Sequence, residues 1–186
     1  MKIKTPRLVL RPTTLEDIPS IVRNINNLNV SKWLLVVPHP YKAKDARKWI
    51  ESQKEKLKKK PREDYTFGIE LRSEHAVIGG IGIHHIDRYQ GTATIGYWLG
   101  QDYWRKGYGS EAIESVLDLA FKKLKLRRLE AEVFLENPLS GKLLGKYGFQ
   151  REGIKRKAAR SKADGKIHDG IIYRLLREEY KIKKKK

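Results

Sequence analysis

Apolar and polar positions alternate along several short segments of the chain, and this period of two residues predicts half-buried β-strands. Elsewhere the apolar residues recur every three or four positions, as on the buried face of an amphipathic helix. The predicted strands are Arg7–Arg11, Tyr65–Leu71, Ala76–Asp87, Gly91–Gly100, Arg128–Phe134, Phe149–Lys157 and Ile167–Leu176. The predicted helices run from Thr14 to about Asn27, from Ala43 to Lys60, from Gly107 to Leu124 and from Pro138 to Tyr147.

The resulting order, β-α-α-β-β-β-α-β-α-β-β, predicts an α/β (α+β) domain. Its helices must cover both faces of a mixed, mostly antiparallel central sheet, since each element buries one apolar side. The sequence has no internal repeat and no low-complexity linker. We therefore expect a single domain over residues 1–180, followed by a basic C-terminal tail at residues 181–186.

Composition narrows the class of protein. Hydrophobic residues make up 39% of the 186 positions, which is typical of a folded domain. No run reaches the roughly 18 apolar residues of a membrane span, and the N-terminus has no signal-peptide core. The chain has no cysteine, and its histidines do not follow metal-ligand spacing. We expect a cytoplasmic protein with no membrane segment and no metal.

The formal net charge is +19, and residues 151–186 hold 14 Lys or Arg against five Asp or Glu. A field of this sign favours anionic partners such as RNA, a ribosomal surface or a phosphorylated cofactor. A solvated basic tail that only keeps the protein soluble is the alternative.

The segment Tyr103–Ala112 follows a predicted strand and opens a predicted helix. Its two glycines, Gly107 and Gly109, let the backbone approach an anion without a Cβ in the way. Free amides and the helix dipole at this point favour a pyrophosphate group. The glycine spacing matches neither the Walker A loop nor the dinucleotide fingerprint.

A second cassette, Asn137–Phe149, follows the next strand. Asn137 is suited to the N-cap of a helix and Pro138 to its first turn. Gly148 is suited to the residue that ends the helix.

With these two segments in place, the chain resembles the GNAT superfamily of N-acetyltransferases, and within it the RimJ/RimL group that acetylates protein N-termini. The resemblance runs nearly end to end and implies the GNAT acyl-CoA N-acyltransferase fold. The segments that carry it are Thr5–Arg11, Pro38–Tyr41, Ile95–Leu99, Tyr103–Ala112, Asn137–Ser140, Gly148–Phe149 and Asp169–Glu178.

The resemblance implies that acetyl-CoA binds between two central strands. The pantetheine arm would pair with the backbone around Tyr97, Trp98 and Leu99. The amides of Arg105, Lys106, Gly107, Tyr108, Gly109 and Ser110 would hold the pyrophosphate. Asn137 would contact the cofactor arm, and Ser140 would lie near its sulfur.

Members of this family pass the acetyl group directly to an amine, so the enzyme must bind and deprotonate the amine and protonate the leaving thiolate. The resemblance implies Ser140 as the acid. Leu144 occupies the position of a tyrosine acid in other GNAT enzymes, which favours Ser140 further. The base is open, because Thr94 replaces a glutamate found in many members.

Three residues are candidates for that base: Glu132, His84 and His85 acting through water. His84 and His85 are neighbours in a predicted strand, so we expect them to face opposite sides. We expect His168 at the surface. The candidates for the acceptor pocket are Trp33, Tyr41 and His85.

The leading interpretation is an acetyl-CoA-dependent acetyltransferase for the N-terminal amine of a protein, including ribosomal proteins, with ribosome or RNA contact through the basic surface. One alternative is transfer to a small amine such as a polyamine or an aminoglycoside. The other is an RNA-binding protein on the same fold without catalysis. A monomer and a homodimer both fit the sequence.

Overall fold

The computed structural model of the protein describes the backbone of residues 1–184 and the side chains of residues 1–180. The predicted basic tail at residues 181–186 therefore lies largely outside the described part of the chain. Its first four residues belong to the C-terminal helix, and their side chains, like residues 185 and 186 entirely, are not described.

Eight strands form one mixed sheet in the order β1-β2-β3-β4-β5-β6-β8-β7. All neighbours are antiparallel except β5 and β6, which run parallel. The strands are β1 (Ile3–Lys4), β2 (Leu8–Arg11), β3 (Tyr65–Leu71), β4 (Ala76–Asp87), β5 (Thr92–Leu99), β6 (Arg128–Phe134), β7 (Gln150–Arg160) and β8 (Ile167–Leu176). The mixed, mostly antiparallel sheet of the sequence prediction is confirmed.

Over residues 1–184, six α-helices accompany the sheet. They are α1 (Ile18–Ile25), α2 (Leu28–Ser31), α3 (Ala43–Lys58), α4 (Tyr108–Asp118), α5 (Pro138–Lys146) and α6 (Arg177–Lys184). A 3₁₀ turn, Leu15–Asp17, leads into α1, and a π-helical turn, Leu119–Lys123, follows α4. Within the described residues, every helix is too short or too polar to cross a lipid bilayer.

Three elements are additional to the sequence prediction. β1 is a two-residue strand that pairs with β2, too short to show an alternating pattern. The one-turn helix α2 begins at Asn27, whose side chain accepts a hydrogen bond from the amide of Asn29. Helix α6 is held at Tyr180, which is buried against Phe121, so a contact distant in sequence stabilises it.

The helices divide the apolar core between the two faces of the sheet. α1, α2 and α3 cover one face, with a cluster built around Ile21, Ile25 and Ile50. α4 and α5 cover the other face, where Ile113 and Leu144 are fully buried. Helices therefore lie on both sides of the sheet, as predicted, and each strand presents alternate residues to the two faces.

Strands β4 and β5 show this alternation next to the site described below. Ile81, Ile83 and Tyr97 belong to the cluster on the α4 face. Gly82 and Gly96, paired in register, lie on the α1–α3 face, where the absence of their side chains leaves room for the ring of His84.

Candidate active site

Strands β5 and β6 separate in the middle of the sheet. Only Thr92–Thr94 pair with Arg128–Glu130, after which β5 continues beside β4 alone and β6 beside β8 alone. The separation opens a cleft of about 1160 Å³. The β5 backbone beyond Thr94 thus has one hydrogen-bonding edge without a strand partner, where an extended ligand can pair.

The loop before helix α4 lies at one end of the cleft. Arg105 and Gly107 have left-handed φ values of 60° and 84°, which turn successive amides toward one side. Within residues 1–184, no protein acceptor binds the six amides from Arg105 to Ser110. These amides and the positive end of the helix dipole form an anion site.

Arg7 braces this loop from the first strand pair. Its guanidinium donates to the carbonyl of Lys106 at 2.9 Å and to the carboxylate of Glu111 at 2.7 Å. It also lies 4.5 Å from the centre of the Tyr108 ring. The loop is therefore held in shape without any ligand, so its amides are already oriented for binding.

Lys146 adds a positive charge that the sequence analysis did not single out. Its Nζ lies 3.1 Å from Ser110 Oγ, at the first turn of α4. Tyr147 donates to the carbonyl of Ser110 at 2.6 Å and so ties α5 to α4. The only signal in the sequence was a lysine near the end of the second cassette, and only the tertiary fold brings it to the anion site.

On the α4 face of the cleft, two hydroxyls form a pair. Tyr97 OH lies 2.7 Å from Ser140 Oγ. Asn137 accepts a hydrogen bond from the amide of Ser140 at 3.4 Å, which makes it the N-cap of α5. Burial raises the pKa of Tyr97 to about 12, so its phenol keeps the proton at neutral pH.

His84 reaches the cleft from the other face of the sheet. Its Nδ1 lies 2.9 Å from Asp64 Oδ1, in the loop before β3. Its ring covers Gly82, where an added Cβ would lie 2.6 Å from Nε2, and approaches Gly96. When the neutral ring donates Nδ1–H to Asp64, Nε2 carries the free lone pair.

Burial lowers the pKa of His84 below its ordinary value of 6.5, and the hydrogen bond and charge of Asp64 oppose this only in part. Burial alone would raise the pKa of Asp64, but the hydrogen bond from His84 and the charge of Lys56 outweigh it and lower the pKa. Neutral pH therefore leaves the imidazole neutral beside an ionised carboxylate.

The structure brings His84 to the cleft but not His85. A register shift follows His84, and His85 has a φ of 52°, so the regular strand geometry behind the prediction of opposite faces is absent here. The two rings lie 6.5 Å apart. His85 is exposed, bonds Thr94 at 3.2 Å and does not line the cleft, which speaks against its predicted acceptor role.

Other predicted residues also border the cleft. Glu132 lines it, with Oε2 bonded to Lys155 Nζ at 2.8 Å. Trp33 and Tyr41 line the side formed by the helices α1–α3. The cofactor candidates that line it are Tyr97, Trp98, Leu99, Arg105, Gly107, Gly109, Ser110, Asn137 and Ser140. Lys106 and Tyr108 belong to the same loop but face Arg7.

The expectation that His168 is a surface residue is wrong. It is buried, its ring stacks on Phe134 at 4.5 Å, and Nδ1 lies 3.1 Å from Glu136. Trp33 and Phe134, both distant from His168 in sequence, cover this position, and no local pattern in β8 reveals that contact. In the described part of the chain, no group of three or more His, Asp or Glu side chains is placed to hold a metal ion.

Comparison with known proteins agrees with the GNAT resemblance found in the sequence. A family model described as an acetyltransferase (GNAT) domain matches residues 7–150. An uncharacterized N-acetyltransferase, p20, from Bacillus licheniformis is 36% identical over 183 residues, covering 95% of this chain and 96% of that protein.

Two similar proteins have names that mention a ribosomal substrate. The ribosomal-protein-serine acetyltransferase of Escherichia coli strain K12 is 31% identical over 85 residues, covering 46% of this chain and 48% of that protein. The solved structure of a putative ribosomal-protein-serine acetyltransferase from Vibrio cholerae has a TM-score of 0.79 at 27% identity, covering 95% of this chain and 97% of that one.

Proposed function

The chain belongs to the GNAT family of acetyltransferases, and we propose that it transfers an acetyl group from acetyl-CoA directly to the N-terminal amine of a protein. The separation of β5 from β6 is the observation that carries this proposal. It joins an anion site at one end to a hydroxyl pair and an imidazole that approach from opposite faces.

The residues present fit acetyl-CoA, which supplies an activated acetyl thioester when bound. The amides of residues 105–110, with Lys146 beside them, would bind the pyrophosphate. The free edge of Tyr97–Leu99 would pair with the amides of the pantetheine arm, as an extra strand would. An added Cβ at Gly109 would lie 3.2 Å from Leu143 Cδ2, so a side chain at that point of the loop would have to displace Leu143.

His84 is the base in this proposal. The amine nitrogen loses a proton as it bonds to the acetyl carbon, and Nε2 of the neutral imidazole accepts that proton. Asp64 then stabilises the imidazolium through the Nδ1 hydrogen bond. Glu132 is less suited to this role, because its carboxylate is engaged by Lys155.

Ser140 is the acid. The carbon–sulfur bond breaks as the amide forms, and the sulfur takes a proton through Ser140 Oγ. Tyr97, protonated and 2.7 Å from Ser140, replaces that proton, and solvent then carries the proton from the His84 imidazolium back to the Tyr97 phenolate. His84 and Ser140 reach the cleft from opposite faces of the sheet, so an acetyl group bound in the opening between β5 and β6 would lie between them.

Two arguments favour a protein N-terminus over a small amine as the acceptor. Two of the three relatives named above, from Escherichia coli and Vibrio cholerae, carry ribosomal-protein-serine acetyltransferase names. The cationic chain would also slow the approach of a polyamine or an aminoglycoside, whose charge has the same sign.

Calorimetric titration with acetyl-CoA tests the cofactor site. Wild type should bind, and Gly109→Trp should not, because the indole fills the space in front of the amides. Gly153→Trp is the matched control, since an added Cβ there meets nothing within 4 Å. Absence of binding by wild type would overturn the proposal.

A panel of acceptors tests the substrate. Peptides with free N-termini should be acetylated, whereas spermidine and an aminoglycoside should react far more slowly. The reverse preference would assign a small-amine acceptor instead. Salt-dependent RNA binding with no acetylation of any amine would favour the non-catalytic alternative.

A further inference from the structure

We infer that the acceptor carries acidic residues shortly after its N-terminal amine, and that the basic edge strand β7 binds them. The inference rests on the proposed transfer to a protein N-terminus and names the class of acceptor. Its basis is the position of β7, its local geometry and the pairing of the charges around the mouth of the cleft.

β7 is the outermost strand of the sheet and pairs only with β8. Three of its residues, Lys155, Ala158 and Ala159, line the cleft that contains Ser140 and His84. A peptide that presents its amine in the cleft therefore leaves it beside this strand. The two alanines leave room for the peptide backbone at that exit.

The register of β7 shifts between Lys155 and Ala159, and Lys157 has a φ of 47°. Asp169 fixes this bulge, because it accepts a hydrogen bond from the amide of Lys157 at 2.7 Å and lies 3.3 Å from the guanidinium of Arg156. A bulge at a sheet edge redirects side chains and interrupts ladder pairing. The bulged part of β7 is therefore suited to binding a ligand through side chains rather than through backbone pairing.

The carboxylates near the mouth are all paired within the protein. Glu132 binds Lys155, Glu136 lies beside His168, and Asp169 binds Arg156. Three cations on the same edge have no such partner, and they are called the β7 rim: Lys157, Arg160 and Lys162. In the described part of the chain, no carboxylate oxygen lies within 4 Å of the side-chain nitrogens of these three residues, and all three are exposed.

The β7 rim is also continuous with the far wall of the cleft. The amide of Lys162 donates to the carbonyl of Leu35 at 3.3 Å, and Leu35 lines the cleft beside Trp33. Lys157 and Lys162 are five residues apart, so they are separated by at most about 17 Å. An extended peptide covers that distance with about five residues, so acidic side chains spread over several consecutive positions can reach both ends of the rim.

RNA is the other anionic occupant that a basic surface could take. Peptide is favoured because the rim adjoins the cleft lining, beside which the chain of a protein acceptor would pass. The experiments that follow therefore also measure RNA binding at the rim.

Three peptides of one length and one N-terminal residue provide the test, with positions three to six acidic, neutral or basic. The kcat/KM should be highest for the acidic peptide, roughly fivefold above the neutral one, as two or three exposed ion pairs would give. The difference should shrink as salt is raised from 0.05 to 0.5 M, because screening weakens exposed pairs.

The double variant Lys157→Gln/Lys162→Gln should remove most of that preference through KM, with kcat and the neutral peptide unaffected. Lys2→Gln/Lys123→Gln removes the same charge from exposed positions away from the cleft and should leave the preference intact. Equal kcat/KM for all three peptides, or equal behaviour of the two double variants, would overturn the inference while leaving the transfer reaction standing.

Two further outcomes are separable. If rim substitution weakens binding of a labelled RNA oligomer but does not change peptide preference, the rim is an RNA surface and the inference is wrong. If no peptide is acetylated although acetyl-CoA binds, the proposed acceptor itself is wrong and the inference fails with it.

Discussion

At the scale of single residues, burial shifts the pKa values of the two proposed proton carriers in opposite directions, and each shift favours the uncharged form. It raises the pKa of Tyr97 to about 12 and lowers the pKa of His84 below 6.5. The phenol stays a donor and the imidazole stays an acceptor at neutral pH, because burial disfavours the charged form of each. The proposed transfer uses one group of each kind, an acceptor for the amine proton and a donor for the leaving thiolate.

Replacing His84 tests the base directly. His84→Ala should lower kcat about 100-fold, since a positioned base contributes a factor of this order. His85→Ala is the matched control, because its ring is only 6.5 Å away but exposed and outside the cleft. Steady-state kinetics on both variants, with acetyl-CoA affinity measured in parallel, gives the comparison. Equal losses in the two variants would exclude His84.

The pH profile tests the contribution of Asp64. The carboxylate raises the pKa of His84 by its hydrogen bond and charge, so Asp64→Asn should lower that pKa further. Wild-type kcat/KM should rise with pH through a pKa below 6.5, and this acidic limb should move to lower pH in the variant. The plateau kcat should also fall, because a weaker base accepts the proton less readily. A limb that moves to higher pH would contradict the assignment.

The hydroxyl pair can be tested by a double-mutant cycle. Ser140→Ala should lower kcat by about tenfold to 100-fold without loss of acetyl-CoA binding. Tyr97→Phe should cost less, because it removes only the hydroxyl that acts through Ser140. The double variant should be little worse than Ser140→Ala alone, since the two groups act in series. Additive losses would show that they act independently.

At the scale of elements, the parts with strong local signals were predictable. The loop before α4 and the caps of α5 follow from glycine, asparagine and proline at positions where only a few residue types fit. The bulge at His85 does not follow from local pattern, because strand alternation assumes a regular backbone. The Asp64–His84 pair joins two elements 20 residues apart, and only the packed fold brings them together.

Asp17 connects three elements and should govern part of the stability in acid. Its carboxylate binds both terminal nitrogens of Arg11 at 2.8 Å and the amide of Thr14 at 2.7 Å, while Arg11 also binds Glu70 on β3. Burial alone would raise the pKa of Asp17, but these hydrogen bonds outweigh it and lower the pKa. A depressed pKa means that Asp17 stabilises the fold above its unfolded value near 3.8.

The stabilisation of the fold by Asp17 should disappear as the pH falls through the pKa of Asp17 in the folded state, which is lower than its unfolded value. Asp17→Asn should lower the free energy of unfolding at pH 7 by about 1.5–3 kcal/mol, the range for hydrogen bonds to charged groups. Urea unfolding at pH 7 and pH 3 measures both effects, and the difference between wild type and variant should narrow at pH 3. Glu16 is exposed in the same turn, so the control Glu16→Gln should leave the free energy of unfolding unchanged at both pH values. A gap that stays constant with pH would contradict this role of Asp17.

At the scale of the whole molecule, the site exists because the sheet is nearly divided. Two groups of strands make up the sheet, β1–β5 and β6–β8, and they are joined by three residue pairs between β5 and β6. The apolar cluster on the α4 face contains residues from both groups and so connects them as well. A ligand that pairs with the free edge of β5 and binds the amides before α4 would contact both halves. Its binding should therefore stabilise the fold as well as prepare the reaction.

The size of that stabilisation can be calculated. A ligand at 100 times its Kd adds about 2.7 kcal/mol to the free energy of unfolding, and each kcal/mol raises the Tm of a chain of this size by roughly 2–4 °C. Acetyl-CoA at that concentration should thus raise the Tm by about 5–10 °C in differential scanning calorimetry. Pantetheine, which lacks the pyrophosphate, should shift it far less at the same concentration, because it leaves the amides of residues 105–110 unbound. Hydrogen exchange should slow at Gly96–Leu99 in the same complex, since those amides flank the gap. An unchanged Tm at a saturation verified by titration would mean that the ligand binds elsewhere than across the two halves of the sheet.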